Sequence, residues 1–500
     1  MSAAPSGSST PQERRARRAE RQGRRDRDLI LGVPARFMRP RLVLLAASAA
    51  LAAFGLLMVY SSSSVEALTG MGDSLYYIKR QALFALAGFV AAALVVKVGY
   101  RTLSGVLLKP LWALTLALLL LIWVPGLGSN ALGASRWVEL GPVTLQPSEF
   151  AKITVILTAA QLFEERFGAG RLDDHEFVKL LGMGVGLPVL LILAQPDKGS
   201  SLVIVTSLLV MAYLAGASGR LVMGLLALGV VGFFGLSLVQ SYSRARILTL
   251  FDPWKYADTT GFQLIRGFYA FGSGGLTGVG IGMSRQKYGY LPMAYNDFIF
   301  AVVGEECGLV GTLGVIVGFV AIAWAGLRIA RYAPDMAGQL IALGCTSLLV
   351  IQMLLNVSGV IGVFPLSGKP IPFLSYGGSS IMSSAMLVGL MLSVSKESRL
   401  SLTEYDERRQ GLRVVGKTGD DLAPVEHVGQ ATPRSRREQV VNGPQLRLVD
   451  RRAPRAATPR EPGALPGRRR IDLGPSALDR LRRDDAGPRV RGGRNDGRRS

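Results

Sequence analysis

The chain has 500 residues, of which 49% are hydrophobic and 18% are charged, and its formal net charge is +22. A soluble chain of this length would form about three domains, at roughly 150 residues each. Long apolar runs, with most charge outside them, exclude that organisation. They indicate an all-α polytopic membrane protein.

Both ends of the chain are basic and poor in apolar residues. Residues 1–41 hold 11 Arg against 4 acids, and residues 401–500 hold 23 Lys and Arg against 14 acids, so they carry 16 of the 22 net charges. Such segments bury too little apolar surface to fold, so we predict disordered basic tails over 1–40 and 400–500. Basic flanks stay cytoplasmic, which places both termini inside the cell.

Between the tails, residues 41–399 contain about ten apolar runs. A membrane span needs about 20 mostly apolar residues. The predicted spans are 42–60, 82–99, 106–124, 147–163, 178–195, 200–217, 221–239, 300–324, 338–357 and 379–395. An even number of spans agrees with two cytoplasmic termini. The connection between the seventh and eighth, about 240–299, is then a large external loop, and loops of that length are usually functional.

The stretch from Ser135 to Lys152 precedes and opens the fourth run, and it carries Arg136, Glu149 and Lys152. Glu149 and Lys152 are three residues apart, so they share a helix face and can form an ion pair. A structural pair is one interpretation. The other has Lys152 or Arg136 facing lipid phosphates. Asp197 and its neighbour Lys198 form another candidate ion pair at a helix end.

The segments predicted to be external carry many cations, against the usual positive-inside asymmetry. They are Lys79, Arg80, Arg136, Lys198, Arg244, Arg246, Arg266, Arg285, Lys287 and Lys369. One interpretation is scattered solvated charge. The other is an outward-facing site for an anion such as phosphate.

Asp297 lies just before an apolar run, in the sequence Asn296-Asp297-Phe298. An acid at this position can cap the first turn of a helix. A carboxylate at a membrane boundary is also costly to bury and is expected to have a function. The residues alone leave both roles open, and the two are compatible.

The last polar segment runs from Pro365 through Lys369 to the final span. Its prolines stiffen the backbone around Lys369, which favours a fixed anion contact. Ser375, Tyr376 and Ser379 flank paired glycines where the last helix begins, and free N–H groups at a helix start suit phosphate. A plain turn is the alternative.

Four segments together resemble the SEDS family (shape, elongation, division and sporulation). They are Ser135–Val138 with Leu145–Lys152, Gly261–Gln263 with Gly272–Leu276, Asn296–Ala301 with Glu305–Leu309, and Pro365–Pro372 with Ser375–Ser380. The resemblance implies a peptidoglycan glycosyltransferase that polymerises lipid II and releases undecaprenyl pyrophosphate. It implies that Asp297 is the general base. The predicted substrate-binding residues are Arg136, Glu149, Lys152, Gln263, Arg244, Arg246, Lys369, Ser375, Tyr376 and Ser379.

Asn296-Asp297 and the long tails resemble the division branch of the family more than the elongation branch. Met293 and Tyr295 stand where relatives often have Glu and His, which argues against catalysis by those two positions. The resemblance implies a class B penicillin-binding protein (a transpeptidase) and other division proteins as partners, with lipid II and membrane lipids but no nucleic acid. It also implies a multi-pass protein of the plasma membrane, concentrated at the division septum.

A divalent cation, Mg²⁺ or Mn²⁺, bridging Asp297 and pyrophosphate is a further expectation, because hard cations prefer oxygen ligands. Two other functions compete with polymerisation. A lipid II flippase shares the many spans but needs no base at the outer surface. A scaffold for a transpeptidase needs no single acid at all.

Overall fold

The protein is described by a computed structural model over residues 29–30, 33–125, 128–131, 134–141, 143–239 and 241–398. These residues are mostly helical, which confirms the all-α class. The predicted tails fall almost wholly outside the described residues. The first helix begins at Ala35, so residues 35–40, which were predicted to be part of the tail, belong to this helix.

The described residues form fourteen α-helices. In chain order α1 to α14 are Ala35–Met71, Tyr76–Val98, Tyr100–Ser104, Leu108–Leu121, Pro147–Phe163, Asp174–Leu181, Leu187–Ala194, Lys198–Ala215, Gly219–Val239, Ser241–Phe251, Phe262–Gly274, Ile299–Arg331, Met336–Val360 and Gly378–Lys396. Two π-helical turns, Glu164–Gly168 and Gly182–Gly186, follow α5 and join α6 to α7. A 3₁₀ turn, Trp254–Tyr256, follows α10.

Every predicted apolar run falls on helix. Among the described residues, eight helical stretches are long and apolar enough to cross a membrane: α1, α2, α6 with α7, α8, α9, α12, α13 and α14. α4 has only 14 residues, and α5 has 17 with two charges among them. Because a span needs about 17–25 apolar residues, the number of ten spans stays a prediction.

Five short strands add to the helices. β1 (Leu29–Ile30) and β2 (Val33–Pro34) form a small hairpin before α1. β3 (Gly128–Ala131), β4 (Ala134–Leu140) and β5 (Val143–Leu145) form an antiparallel sheet between α4 and α5. The sequence indicates only a connection here, between the third and fourth apolar runs, because the strands are short and rich in small residues. The sheet carries Arg136.

The predicted external loop contains two helices and a long irregular segment. α10 and α11 occupy its first part, and an irregular segment over 275–298 leads to α12. α11 is amphipathic and packs along α12. Aromatic residues surround Arg266, whose guanidinium lies 5.0 Å from the Phe262 ring and 5.1 Å from the Tyr290 ring.

α12 is broken at Gly308, where φ is +64° and ψ is −160°. The preceding segment fills the break: Val279 N donates to Glu305 O at 2.9 Å, and Leu309 N donates to Gly275 O at 3.0 Å. Only glycine tolerates this backbone without strain. A Cβ at Gly308 would also lie 2.4 Å from Gly278 N.

The carboxylates of Glu305 and Glu306 are buried just before that break. Glu305 accepts hydrogen bonds from Ser284 Oγ and from Arg285 N, the latter at 2.9 Å. Glu306 accepts from Ser61 Oγ at 2.6 Å and lies 3.6 Å from Lys287 Nζ. The pair therefore fastens the segment before Asp297 to α12, and each acid has the polar partner that burial demands.

The core lies between α1, α5, α12, α13 and α14. α13 and α14 are the central helices, because 72% of the most apolar stretch of each is buried. In α9 the share is 6%. α14 packs along α2 more extensively than any other described pair of elements.

Polar residues gather at the two ends of these helices. At one end Arg101 Nη2 lies 2.9 Å from Asp335 Oδ2, at the start of α13, and Arg101 Nε lies 3.0 Å from Glu397, just after α14. At the other end Asn356 lies near the end of α13 and Ser379 near the start of α14. Segments predicted to be cytoplasmic and external are thus separated by the length of the helices.

Candidate functional site

Asp297 lies in the turn before α12, and its side chain is half-buried. Its backbone carbonyl accepts a hydrogen bond from Asn356 Nδ2 at 2.8 Å. A Cβ placed on Gly368 would lie 3.7 Å from Asp297 Oδ2 and 3.8 Å from Arg246 Nη1. The carboxylate and the guanidinium therefore lie beside the same glycine. Among the described contacts, none of the first N–H groups of α12 donates a hydrogen bond to the Asp297 side chain, so the capping role is not observed.

Withdrawal from solvent raises the pKa of the Asp297 carboxyl, and the nearby Arg246 guanidinium partly offsets that rise. Desolvation disfavours the charged form of an acid, and a neighbouring cation favours it. A carboxylate in this setting is a stronger base than an exposed aspartate, and the cation keeps part of the population ionised. That combination suits proton abstraction.

The segment 361–377 between α13 and α14 is irregular, and residues 371–375 within it are buried. The segment enters the helical bundle and approaches the backbone of α1. A Cβ placed on Gly55, in the middle of α1, would lie 2.2 Å from Phe373 O. Irregular backbone at membrane depth needs partners inside the protein. Gln352 Nε2 donates to Pro370 O at 2.8 Å, Asn356 Nδ2 donates to Lys369 O at 2.6 Å, and Gln81 Nε2 donates to Ser375 O at 3.1 Å.

Four buried charges lie next to one another here, and one of them, Lys369, belongs to segment 361–377. Lys152 Nζ lies 2.7 Å from Glu149 Oε2, and Lys369 Nζ lies 2.7 Å from Asp197 Oδ2. All four residues are at most 3% exposed. The i, i+3 pair of Glu149 and Lys152 is thus present. Asp197, however, pairs with Lys369 and not with Lys198, because its side chain points into the bundle.

Asp197 accepts several further hydrogen bonds. Gln146 Nε2 lies 3.0 Å and Ser148 Oγ 2.8 Å from Oδ2, and Ser200 N lies 3.1 Å from Oδ1. Burial acts to raise the pKa of Asp197, but the Lys369 ammonium, the Arg136 guanidinium and the hydrogen bonds to the carboxylate together outweigh it and hold the pKa well below its usual range. Asp197 is therefore an ionised structural anchor.

Arg136 extends from β4 towards the same group of charges. Its Nη2 donates to Pro196 O at 2.7 Å, and its Nε is buried without a hydrogen-bond partner among the described residues. Its charge also lowers the pKa of Asp197. Arg136 thus lies beside the buried charges, with one donor still available.

The two arginines of α10 differ in their surroundings. Arg244 is exposed, whereas Arg246 Nη1 donates to Leu366 O at 2.7 Å. A groove between α10 and segment 361–377 is lined by Arg246, Thr249, Leu250, Thr260, Leu264, Gly359, Phe364, Pro365 and Leu366. Arg246 therefore connects this groove to Asp297.

Ser375, Tyr376 and Ser379 are bound within the protein. Ser375 Oγ accepts from Ile371 N at 2.8 Å, and Ser379 Oγ accepts from Gln146 N at 2.9 Å. Tyr376 N donates to Tyr295 O at 2.9 Å, so the two segments on either side of the site are joined. These contacts stabilise the turn before α14.

Rings surround that join. The Tyr77 ring centroid lies 4.5 Å from that of Tyr295 and 5.1 Å from that of Tyr376. Gln263 is on α11, where Nε2 donates to Pro292 O at 3.2 Å. The structure therefore brings Asp297, Arg246 and Gly368 together. Gln263 contacts the segment leading to Asp297.

Sequence reasoning missed the side-chain amides of Gln81, Gln352 and Asn356. Gln352 and Asn356 lie in an apolar helical run and Gln81 directly precedes one, so a single amide is the only available signal at each position. A buried polar side chain in a membrane helix must find a partner, so such amides mark the places where irregular backbone is held. Asn356 also touches the residue predicted to be catalytic.

Among the described residues, no group of three or more His, Cys, Asp or Glu side chains could hold a metal ion. Asp297 is a lone carboxylate, and the buried Asn356 Oδ1 has no hydrogen-bond partner within the described part of the chain. Magnesium is often bound by one or two carboxylates together with substrate phosphates. This donor set fits only a cation that arrives with a phosphate.

Residues 41–400 match the FtsW/RodA/SpoVE family, which is described as a family of cell cycle proteins. Stage V sporulation protein E of Bacillus subtilis is 40% identical over 363 residues, covering 72% of this chain and 98% of that protein. The probable peptidoglycan glycosyltransferase FtsW of Geobacter metallireducens is 38% identical over 361 residues, covering 71% of this chain and 94% of that protein.

Solved structures share the fold. One chain comes from work on the structural coordination of polymerisation and crosslinking by a peptidoglycan synthase complex. It superposes with a TM-score of 0.57 at 29% identity, over 71% of this chain and 96% of that one. The crystal structure of the rod shape determining protein RodA of Thermus thermophilus gives 0.53 at 27% identity, over 72% and 97%. The similarity spans the helical bundle.

Proposed function

We propose a function from one premise: the chain belongs to the FtsW, RodA and SpoVE family of cell cycle proteins. It is a membrane-embedded peptidoglycan glycosyltransferase that polymerises lipid II into glycan strands for septal wall synthesis. Relatives at 37–38% identity that carry the name probable peptidoglycan glycosyltransferase FtsW support this reaction. The observation that carries it is the half-buried Asp297 carboxylate beside Arg246 and Gly368.

The reaction needs one base and a stabilised leaving group. A hydroxyl oxygen of the acceptor sugar forms a bond to the anomeric carbon of the donor. The bond from that carbon to the pyrophosphate oxygen breaks, and undecaprenyl pyrophosphate leaves with the electron pair. Asp297 takes the hydroxyl proton. Help of this kind is typically worth about 10²–10⁴ in rate.

Pyrophosphate is a weak base, so its departure depends on cations more than on an acid. We assign the leaving-group contact to Arg246, which lies beside Asp297. Arg136 and the exposed Arg244 belong to the segments predicted to be external, and we propose them as further phosphate contacts. In the described contacts Lys152 and Lys369 face carboxylates, so their predicted phosphate contact requires these ion pairs to open. That contact stays a prediction.

A divalent cation is a further part of the proposal. Asp297 would hold it together with the pyrophosphate oxygens, and the ion would neutralise charge on the leaving group. Polymerisation should then stop in excess chelator and return with Mg²⁺ or Mn²⁺. Full activity in chelator would remove the ion from the proposal.

The cellular setting follows from the family. We propose that the protein works with a class B penicillin-binding protein, and the solved complex of polymerisation and crosslinking supports such a pair. Other division proteins and membrane lipids complete its surroundings. We also propose cytoplasmic termini and concentration at the septum. The basic ends of the sequence support the orientation.

The deciding experiment is glycan-chain synthesis from purified lipid II, with and without the transpeptidase, by the parent chain and by Asp297→Asn. The variant keeps the size of the side chain and removes the base, so polymerisation should fall by at least about 10². Expression, partner binding and lipid II binding should be retained. Near-parental synthesis by Asp297→Asn would remove Asp297 as the base. No synthesis by the parent chain, with or without the transpeptidase, would favour a flippase or a scaffold instead.

A further inference from the structure

Asn356 joins the two segments that form the site. Its Nδ2 donates to Asp297 O at 2.8 Å and to Lys369 O at 2.6 Å. The side chain is 3% exposed. One amide group, placed near the end of the central helix α13, therefore holds the turn of Asp297 against the irregular segment 361–377.

The orientation of this amide follows from its partners. Both contacts are carbonyl oxygens, which only accept, so the –NH₂ group must face them. In the opposite orientation an oxygen would face two oxygens. The Oδ1 atom, on the other side, has no partner among the described residues. Asn356 thus uses both of its donors for the bridge.

A neighbouring amide shows how specific that bridge is. Gln352 lies four residues earlier, so it shares a helix face with Asn356. Its Nε2 donates to Pro370 O and its Oε1 accepts from Lys152 Nζ at 2.7 Å. Gln352 therefore fastens segment 361–377 to the buried charges. Among the described contacts, Asn356 is the side chain that also reaches Asp297.

The hydrogen bonds of Asn356 fix the distance between the Asp297 carboxylate and the turn at Gly368. Gly368 precedes Lys369, and its backbone lies beside both the Asp297 carboxylate and the Arg246 guanidinium. Holding the carbonyls of Asp297 and Lys369 on one nitrogen therefore sets how far the carboxylate stands from this turn. Misplacement of a reacting group by about 1 Å can cost on the order of 10²-fold in rate.

We propose that Asn356 is a positioning residue for glycosyl transfer, which acts through Asp297 by locking its turn to segment 361–377. This inference rests on the proposed function, because it takes Asp297 as the base. Asn356, an uncharged residue on a central helix, thus affects kcat without contacting the sugar.

Asn356→Leu tests the proposal, since leucine has the same branched shape, with two methyl groups in place of the amide oxygen and nitrogen, and no donor. Polymerisation of lipid II by the purified protein with its transpeptidase should show kcat reduced about 10–100-fold, with KM changed less than about threefold. Lipid II binding should stay close to that of the parent. The melting temperature should fall modestly, because two buried carbonyl oxygens lose their donor. Ser347→Ala, elsewhere on α13, is the control for disturbance of the helix.

A general packing role would instead raise KM in parallel with the fall in kcat, and that result would overturn the proposal. Parental kcat in Asn356→Leu would overturn it as well. If Asn356→Leu does not fold, Asn356→Ser decides. It keeps one donor, and its kcat should still fall at least about threefold at unchanged KM.

Asp297→Asn, measured in the same assay, separates this inference from the proposed function. If Asp297→Asn is inactive while Asn356→Leu has parental kcat, only the positioning role fails. If Asp297→Asn polymerises at the parental rate, the base assignment fails and the positioning role fails with it.

Discussion

The Lys369 ammonium lies 2.7 Å from the Asp197 carboxylate, and the two side chains are 3% and 1% exposed. The residues are 172 positions apart in the sequence. Together with Glu149 and Lys152 they form a buried set of two positive and two negative charges. Such a set is weak evidence for stability by itself, but loss of one member leaves a charge uncompensated.

We expect Lys369→Met to destabilise the protein by about 3–5 kcal/mol, because it leaves Asp197 buried and unpaired. Asp197→Asn combined with Lys369→Met should recover most of that loss, since no unpaired charge then remains. Thermal unfolding of the purified variants in detergent measures both. Equal melting temperatures for the single variant and the parent would show that Lys369 is not held by this pair.

The pH dependence of the reaction should depend on Arg246. A base must be deprotonated, so activity is lost as the pH falls through the pKa of Asp297, which burial raises above its usual value. Arg246→Gln removes the cation that opposes the rise, so the acidic limb of kcat/KM should move to higher pH. Arg244→Gln, on the same helix but exposed, is the control and should leave that limb in place. An unmoved limb in Arg246→Gln would separate Arg246 from Asp297.

Two glycines of α12 give a matched pair. Gly308→Ala puts a Cβ 2.4 Å from Gly278 N at φ +64°, so we expect a loss of several kcal/mol or no folded protein. Gly314 has no atom within 4 Å of an added Cβ. Gly314→Ala should be neutral or more stable by up to about 1 kcal/mol. Similar melting temperatures in the two variants would contradict the break at Gly308.

The anchoring role of Glu305 can be measured at the backbone. Glu305→Ala removes the acceptor of Arg285 N, and hydrogen bonds to charged groups are worth about 1.5–3 kcal/mol. Amide hydrogen exchange at Arg285 should become roughly 10–100-fold faster. Glu165→Ala is the control, because Glu165 accepts from Gln161 at the end of α5 and does not contact Arg285 N. It should leave hydrogen exchange at Arg285 unchanged. Unchanged exchange in Glu305→Ala would mean that the segment is held by other contacts.

The sequence predicted well what depends on local pattern. Each apolar run coincides with helix, and the pair Glu149 and Lys152 followed from its i, i+3 spacing. The position of Asp297 before an apolar run also predicted its place at the start of α12. These features need no knowledge of which helices meet.

What depends on pairing between distant segments could not be predicted. Asp197 was assigned to its neighbour Lys198, whereas the bundle brings Lys369 to it. Asn356 carries no signal of its own within an apolar run, since its partners are backbone carbonyls more than ten residues away. The break at Gly308 was missed because its cause is the insertion of another segment.

The burial of segment 361–377 has a consequence for how the chain is made. Gln81 is synthesised 294 residues before its partner Ser375. Gly55 and its neighbour Phe373 are separated by an even longer stretch of chain. Pairings of such high sequence separation form late. Until the ribosome has delivered segment 361–377, the first two helices must remain in the bilayer with these contacts unmade. Chains stopped before Ile361 therefore lose more than this segment and α14, because the end of the bundle that holds Asp297 cannot assemble.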